Sequence, residues 1–188
     1  MNNQSKTTVK AKLYPKFPFY RVFIYEFSTI LHYILGGLGL LIGFSFLAWG
    51  SLIGFIYLAF AFLQMYILMP LTVCPNCVYY RMEDGRCVSG LNKISRKLAK
   101  EGKPEDFTKR AEGILCYNNV YMAALFIPII GIIPGLIFNF SILLLGLLFG
   151  VLTLLLFRFF VIFPKIGCLH CSAKFTCPIA EQIGVRDK

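Results

Sequence analysis

Two stretches of this chain carry no Asp, Glu, Lys or Arg: residues 28–73, 46 positions long, and residues 113–157, 45 positions long. One bilayer crossing takes roughly 20 apolar residues. Each stretch is therefore long enough for two crossings, with only a short turn between them. In lipid every backbone N–H and C=O must be satisfied within the segment, which leaves the helix as the form such runs adopt. The expectation is an all-α integral membrane protein with four transmembrane helices, near 28–49, 51–71, 117–138 and 141–163. The turns are read at Gly50-Ser51 and at Phe138-Asn139-Phe140-Ser141. The soluble material is then residues 1–27, 74–116 and 164–188, all on one side. The whole chain agrees with this class: 57% of its residues are hydrophobic and only 15% are charged, against about a quarter charged in an ordinary soluble domain.

The charge that remains orients the chain. Of its 19 Lys and Arg residues, all but Arg158 fall in the three soluble segments. Lys and Arg accumulate in cytoplasmic loops, so both termini and the central loop are expected to face the cytoplasm. The net charge of +10 then serves orientation and attraction to anionic headgroups. No basic stripe interleaved with aromatics suggests a nucleic-acid partner. The first apolar run is too long for a signal peptide and lacks a small-x-small cleavage site. Asn2 excludes an N-terminal myristoylation glycine, and no prenylation box is present.

The chain also repeats itself. Pro70-Leu-Thr-Val-Cys74-Pro-Asn-Cys77 returns as Pro164-Lys-Ile-Gly-Cys168-Leu-His-Cys171, 94 positions later. The same offset pairs Gly37 with Gly131, Phe44 with Phe138 and Phe46 with Phe140. The expected architecture is two repeated helical hairpins, 28–73 and 117–163, each ending in a cysteine pair at the membrane surface. A basic segment (1–27) precedes the first hairpin. A Cys-rich loop (74–116) follows it, and a Cys-rich tail (164–188) follows the second.

All seven cysteines lie outside the apolar runs: Cys74, Cys77, Cys87, Cys116, Cys168, Cys171 and Cys177. On a cytosolic face such patterns mean metal binding or redox chemistry more often than structural disulfides. A Cys-x2-Cys turn sets two thiolates on one ion. Three arrangements are open. Cys74, Cys77, Cys168 and Cys171 close one four-sulfur site tying the hairpins together. Alternatively Cys74, Cys77 and Cys87, with Cys116, form a site in the central loop, Asp84-Gly85 turning a hairpin between 79–82 and 86–88. Or Cys168, Cys171 and Cys177 form a second cluster, completed by His170 or Cys116. Zinc is the favoured occupant and an iron–sulfur cluster the alternative.

In size and helix number the chain resembles the quinone-linked disulfide-generating oxidoreductases of the bacterial inner membrane. Those carry their cysteine pairs on the outer face, after helices one and three. Here charge puts the pairs inside, after helices two and four, and no quinone-binding signature accompanies them.

Other features bear on partners. Ser89–Lys100 is amphipathic, with Leu91, Ile94 and Leu98 on one face, fit either for the membrane interface or to cover the metal loop. Pro104-Glu105-Asp106 marks a helix start. Small residues recur four apart (Gly39/Gly43, Gly50/Gly54, Gly131/Gly135, Gly146/Gly150), suiting close helix packing within the bundle or a homodimer face. His32 is read as a histidine that hydrogen-bonds a neighbouring helix, and Arg158 as a side chain snorkelling to the surface. No acidic relay crosses the bilayer, which argues against an ion-coupled transporter. Motifs for phosphate binding, for a nucleophilic serine and for His-Glu-x-x-His metal chemistry are absent. Three functions follow: a membrane binding or assembly protein stapled by metal, with another membrane or cytosolic protein as partner; a membrane redox protein passing electrons toward the lipid phase; or a small metal-handling transporter.

Overall fold

A computed structural model describes residues 11–47, 49–114 and 116–186. The first ten residues of the basic N-terminal segment, including Asn2, and the last two of the tail lie outside them. The described chain is helical, its only β pairing being two isolated bridges. Helix α1 is Phe19–Gly43, α2 Gly50–Asn76, α3 Val78–Arg81 and α4 Asn92–Leu98. Helix α5 is Tyr117–Phe138, α6 Ile142–His170 and α7 Pro178–Gln182. Four of these, α1, α2, α5 and α6, are long and apolar enough to cross a membrane. Their outer faces expose large apolar side chains such as Phe23, Phe55, Ile130 and Phe149, a surface suited to lipid rather than water.

The helix limits differ from those expected in an instructive way. Helix α1 starts at Phe19 rather than near residue 28, because its two charges are accommodated locally. Arg21 donates to the Ile166 carbonyl at 3.2 Å and lies over the Tyr14 ring at 4.9 Å. Glu26 accepts from the Tyr66 hydroxyl at 2.5 Å. Helix α1 also stops at Gly43, short of residue 49, and the turn closes where Gly50 meets the Phe44 carbonyl so tightly that a Cβ would lie 1.6 Å from that oxygen. Helices α2 and α6 run on past Pro70 and Pro164. Proline lacks the N–H for an i→i−4 bond, and in both helices the backbone widens into π-helical turns, at Gln64–Leu68 and Arg158–Gly167, which absorb the irregularity. These π segments begin 94 positions apart, the offset of the cysteine pairs.

Helix α1 packs against all three other long helices. It runs antiparallel to α2, matching Glu26 with Tyr66, Tyr33 with Gln64 and Gly37 with Leu58. It runs parallel to α5, matching His32 with Leu125, Gly36 with Pro128, Gly39 with Ile132 and Gly43 with Gly135. Those partners are separated by 92 or 93 positions, so residues close to the 94-residue repeat offset face one another. The two backbones approach so closely that a Cβ on Gly135 would lie 2.7 Å from the Gly43 Cα, the close passage that small residues permit. The core between the helices is filled by Leu40, Leu125, Ile132, Leu144 and Val151.

At the other end of the bundle the three connecting segments bind one another. The strand-like stretch before α1 lies between the central segment and the tail. Tyr14 N–H donates to the His170 carbonyl at 2.9 Å, and Phe17 N–H to the Arg86 carbonyl at 2.9 Å. The Tyr79 hydroxyl donates to the Tyr14 carbonyl at 2.6 Å and accepts from Ser172 N–H at 2.9 Å. The expected β-hairpin around Asp84-Gly85 does not form. Residues 78–81 are the short helix α3, and Arg86 pairs instead with Lys16 in a parallel bridge. The helix start expected at Pro104-Glu105-Asp106 is present, as a 3-10 helix, Pro104–Ala111, that ends before α5.

Candidate functional site

Both Cys-x2-Cys turns are built identically. Each is a 3-10 turn continuing a membrane-length helix, Cys74–Asn76 on α2 and Cys168–His170 on α6. In each, the second cysteine's N–H returns to the first one's carbonyl, at 3.1 Å in Cys77→Cys74 and 3.3 Å in Cys171→Cys168. The thiols of each pair therefore sit on one small loop at a helix end.

The two turns converge. Cys77, Cys171 and Cys177 pack on one small apolar cluster of Val73, Phe107 and Ala173. Cys74, Cys77, Cys87, Cys168, Cys171 and Cys177 all line a single cavity of about 150 Å³. Cys87 reaches it without a β-hairpin because Asn92, 1% exposed, holds its segment: the side-chain oxygen accepts from Cys87 N–H at 3.2 Å. The Asn92 amide donates to the Tyr79 and Gly85 carbonyls at 3.1 and 2.9 Å. Helix α4 lies over the first cysteine turn, with Ser95 donating to the Pro70 carbonyl at 2.7 Å. Leu91 is buried, whereas Ile94 and Leu98 are exposed.

Cys116 is not part of this lining. It is the residue before α5, its N–H directed to the Gly113 carbonyl at 3.4 Å. His170 is also turned away, with Nδ1 on the Lys12 carbonyl at 2.7 Å and its ring against Tyr14. Six of the seven candidate cysteines are thus brought together.

The chamber is dry. Its walls include Tyr25, Tyr121 and Phe163 toward the bundle and Phe107 toward the loops. Burial pushes the Cys77 thiol up to about 12; neighbouring Cys87 and Cys177 add to this, while the Tyr79 N–H and the Arg110 guanidinium oppose it. Cys171 is raised well above the ordinary thiol range, by burial and by Cys77, Cys168 and Cys177, against the Ala173 N–H. Neutral thiols are poor nucleophiles. Thiols bind metal ions as thiolates, so binding in general releases their protons.

Six cysteine side chains around one space are donors of the type that thiolate-bound centres use. Among the described residues, no three His, Cys, Asp or Glu side chains already close on a point that would hold an ion. The sulfurs line the wall of a cavity instead.

Several residues outside the cysteine pattern shape this end of the molecule. Arg158 does not snorkel. It is 1% exposed, pointing inward at the start of the α6 π turn, and donates to the Tyr121 hydroxyl and the Thr29 Oγ1. Ser28 Oγ lies 3.4 Å away, and the guanidinium sits 5.2 Å from the Tyr25 ring centre. Its repeat counterpart Gln64 is likewise buried and donates to the Tyr33 hydroxyl at 2.7 Å. The equivalence of positions 64 and 158 under the repeat is the sequence signal that could have marked both as inward-facing. His32 is buried, with Nε2 at 3.1 Å from the Leu125 carbonyl of α5, the contact to a neighbouring helix expected of it.

Comparison with protein-family models, with curated proteins and with solved structures finds no match to this chain.

Proposed function

We propose that this is a multi-pass membrane protein made of two copies of one helical hairpin, with a cytosolic cap that holds a thiolate-ligated metal centre. The observation that carries this reading is the gathering of six cysteines, from both repeat copies and the central loop, around one buried cavity. The duplication is supported by the matching π turns and by the near-constant offset across the α1–α5 contact. Cys74, Cys77, Cys168 and Cys171 would hold the metal, with Cys87 and Cys177 beside them. The cytosolic side follows from the basic segments. The centre would staple the two hairpins at the membrane surface, and the protein would act in binding or assembly with a membrane or cytosolic partner.

Zinc leads as occupant, since a structural thiolate site adds its binding energy to folding. One observation favours the second reading, an iron–sulfur electron carrier: the sulfurs surround a space of about 150 Å³ rather than a point, which suits a centre of several metal atoms better than one ion. The metal-handling reading is weakened by the packed apolar bundle core, which offers an ion few ligands on the way across.

The test is metal content by elemental analysis in detergent, for the intact protein and for Cys74→Ser and Cys168→Ser. A shared site predicts that either substitution lowers bound metal to below half. Unchanged metal in both variants would refute the shared site.

A further inference from the structure

Arg110 stands out among the residues around the chamber. It belongs to the 3-10 segment Pro104–Ala111 and lines the cavity that the six cysteines share. Its guanidinium is held over the rings of Phe107 and Tyr117, at 5.3 and 6.0 Å from their centres. Its Nε is buried and has no hydrogen-bond partner. Among the described residues it makes no ion pair, and no Asp or Glu lines the chamber. Arg158, just beyond the Tyr25, Tyr121 and Phe163 wall, is different: hydroxyls of Tyr121, Thr29 and Ser28 surround its guanidinium. Arg110 is thus a cation at the chamber wall with a buried, unused donor.

We propose that Arg110 supplies the counter-charge to the anionic thiolate–metal centre and donates a hydrogen bond to one of its sulfurs. The inference rests on the metal reading above. Four thiolates on one divalent ion carry a net charge of −2, and a four-cysteine iron–sulfur cluster is anionic too. A buried charge is costly unless paired, and among the described residues lining the chamber Arg110 is the one charged side chain. Guanidinium is suited to this position because it is always charged, is weakly hydrated and stacks on aromatic faces while its edge donates. The Phe107 and Tyr117 rings flank it. Lys109, the next residue, pairs instead with Asp106 at 2.7 Å and is exposed, so only one of the two adjacent cations serves the chamber.

The experiment is a competition titration of the full chain in detergent with zinc alone, and with cobalt(II) alone to read the thiolate charge-transfer absorbance. It compares the unchanged protein with Arg110→Met, Arg110→Gln, Arg110→Lys and Lys109→Met. The proposal expects zinc affinity to fall at least tenfold in Arg110→Met and Arg110→Gln. It expects Arg110→Lys, which restores the charge, to recover to within about threefold, and Lys109→Met to stay at the original value. If the protein is isolated with iron and sulfide, the midpoint potential should become more negative in Arg110→Met and recover in Arg110→Lys. Arg110→Gln keeps much of the side chain's length and polarity, so a folding defect confined to Arg110→Met leaves the test intact. If the unchanged protein binds metal and neither neutral variant weakens it, Arg110 has no such role and the metal reading stands. Should the unchanged protein bind no metal, both fall together.

Discussion

Asn92 is the residue whose removal tests how the chamber is built. It is 1% exposed and makes three hydrogen bonds: it accepts from Cys87 N–H and donates to the Tyr79 and Gly85 carbonyls. Asn92→Ala deletes all three and leaves one donor and two acceptors without that partner. A net intramolecular hydrogen bond contributes about 1 kcal/mol, and a buried group left unpaired costs about 1–3 kcal/mol. Because Arg96 also bonds the Tyr79 carbonyl, at 2.9 Å, one acceptor keeps a partner. The expected loss is then about 3–5 kcal/mol, equivalent to a fall in melting temperature of roughly 6–20 °C. Asn92→Asp keeps the acceptor for Cys87 N–H and loses the two donors, so it should unfold below the unchanged protein yet hold Cys87 in place. The assay is thermal unfolding in detergent together with mass-spectrometric labelling of Cys87 in metal-free protein. Asn92→Ala should speed Cys87 labelling and Asn92→Asp should not. A melting temperature within about 2 °C of the unchanged protein, with Cys87 still protected, would refute the view that Asn92 folds the central segment onto the chamber.

Three further outcomes follow from the same geometry. Cys77, pushed up to about 12, should in metal-free protein alkylate slowly at pH 8, its rate still rising about tenfold per pH unit up to pH 10, where an ordinary thiol near 8.5 has levelled off. The sign for stability follows: the folded state holds this proton and the unfolded state releases it, so the contribution is fully present below about pH 8.5 and is lost as pH rises toward 12. A metal-free protein more stable at pH 10 than at pH 7.5 would contradict this. Gly135→Val should break the α1–α5 crossing, since even a Cβ there meets the Gly43 backbone at 2.7 Å; a melting temperature matching the unchanged protein would mean that the helices do not pass so closely. Arg158→Met should lose the links from α6 to Thr29 on α1 and Tyr121 on α5 and lower the melting temperature, with Arg158→Lys recovering part of it. Equal stability of all three proteins would put Arg158 at the surface.

Much of the four-helix reading was legible because lipid admits so few backbone forms: two charge-free runs of that length fold as helices. The helix ends were not, and the reason is specific. Absence of charge was used as the boundary, yet Arg21 and Glu26 lie within α1 because Ile166, Tyr14 and Tyr66 receive them. Two of those partners, Ile166 and Tyr66, are distant in sequence. Likewise the second and fourth helices were expected to end near residues 71 and 163, whereas both run on, π turns included, and place Cys74 and Cys168 on helical ends. The recurring Pro-x3-Cys-x2-Cys pattern identified the two cysteine turns; their convergence on one cavity is a property of the assembled fold. Cys87 was anticipated for a reason that does not apply, a β-hairpin; Asn92 brings it in. Arg110 was missed because its role depends on Phe107, Tyr117 and a cavity that only the assembled fold creates.

The measurement that tests the account most directly is elemental analysis with an absorption spectrum and a free-thiol count, on the full chain purified in detergent without oxygen. The account predicts bound metal in stoichiometric amount, with most of the six chamber cysteines protected until a chelator is added. Zinc without visible absorbance would mark a structural staple; iron with sulfide and visible absorbance would mark an electron carrier. Protein free of metal, with its chamber cysteines labelled equally with and without chelator, would contradict it.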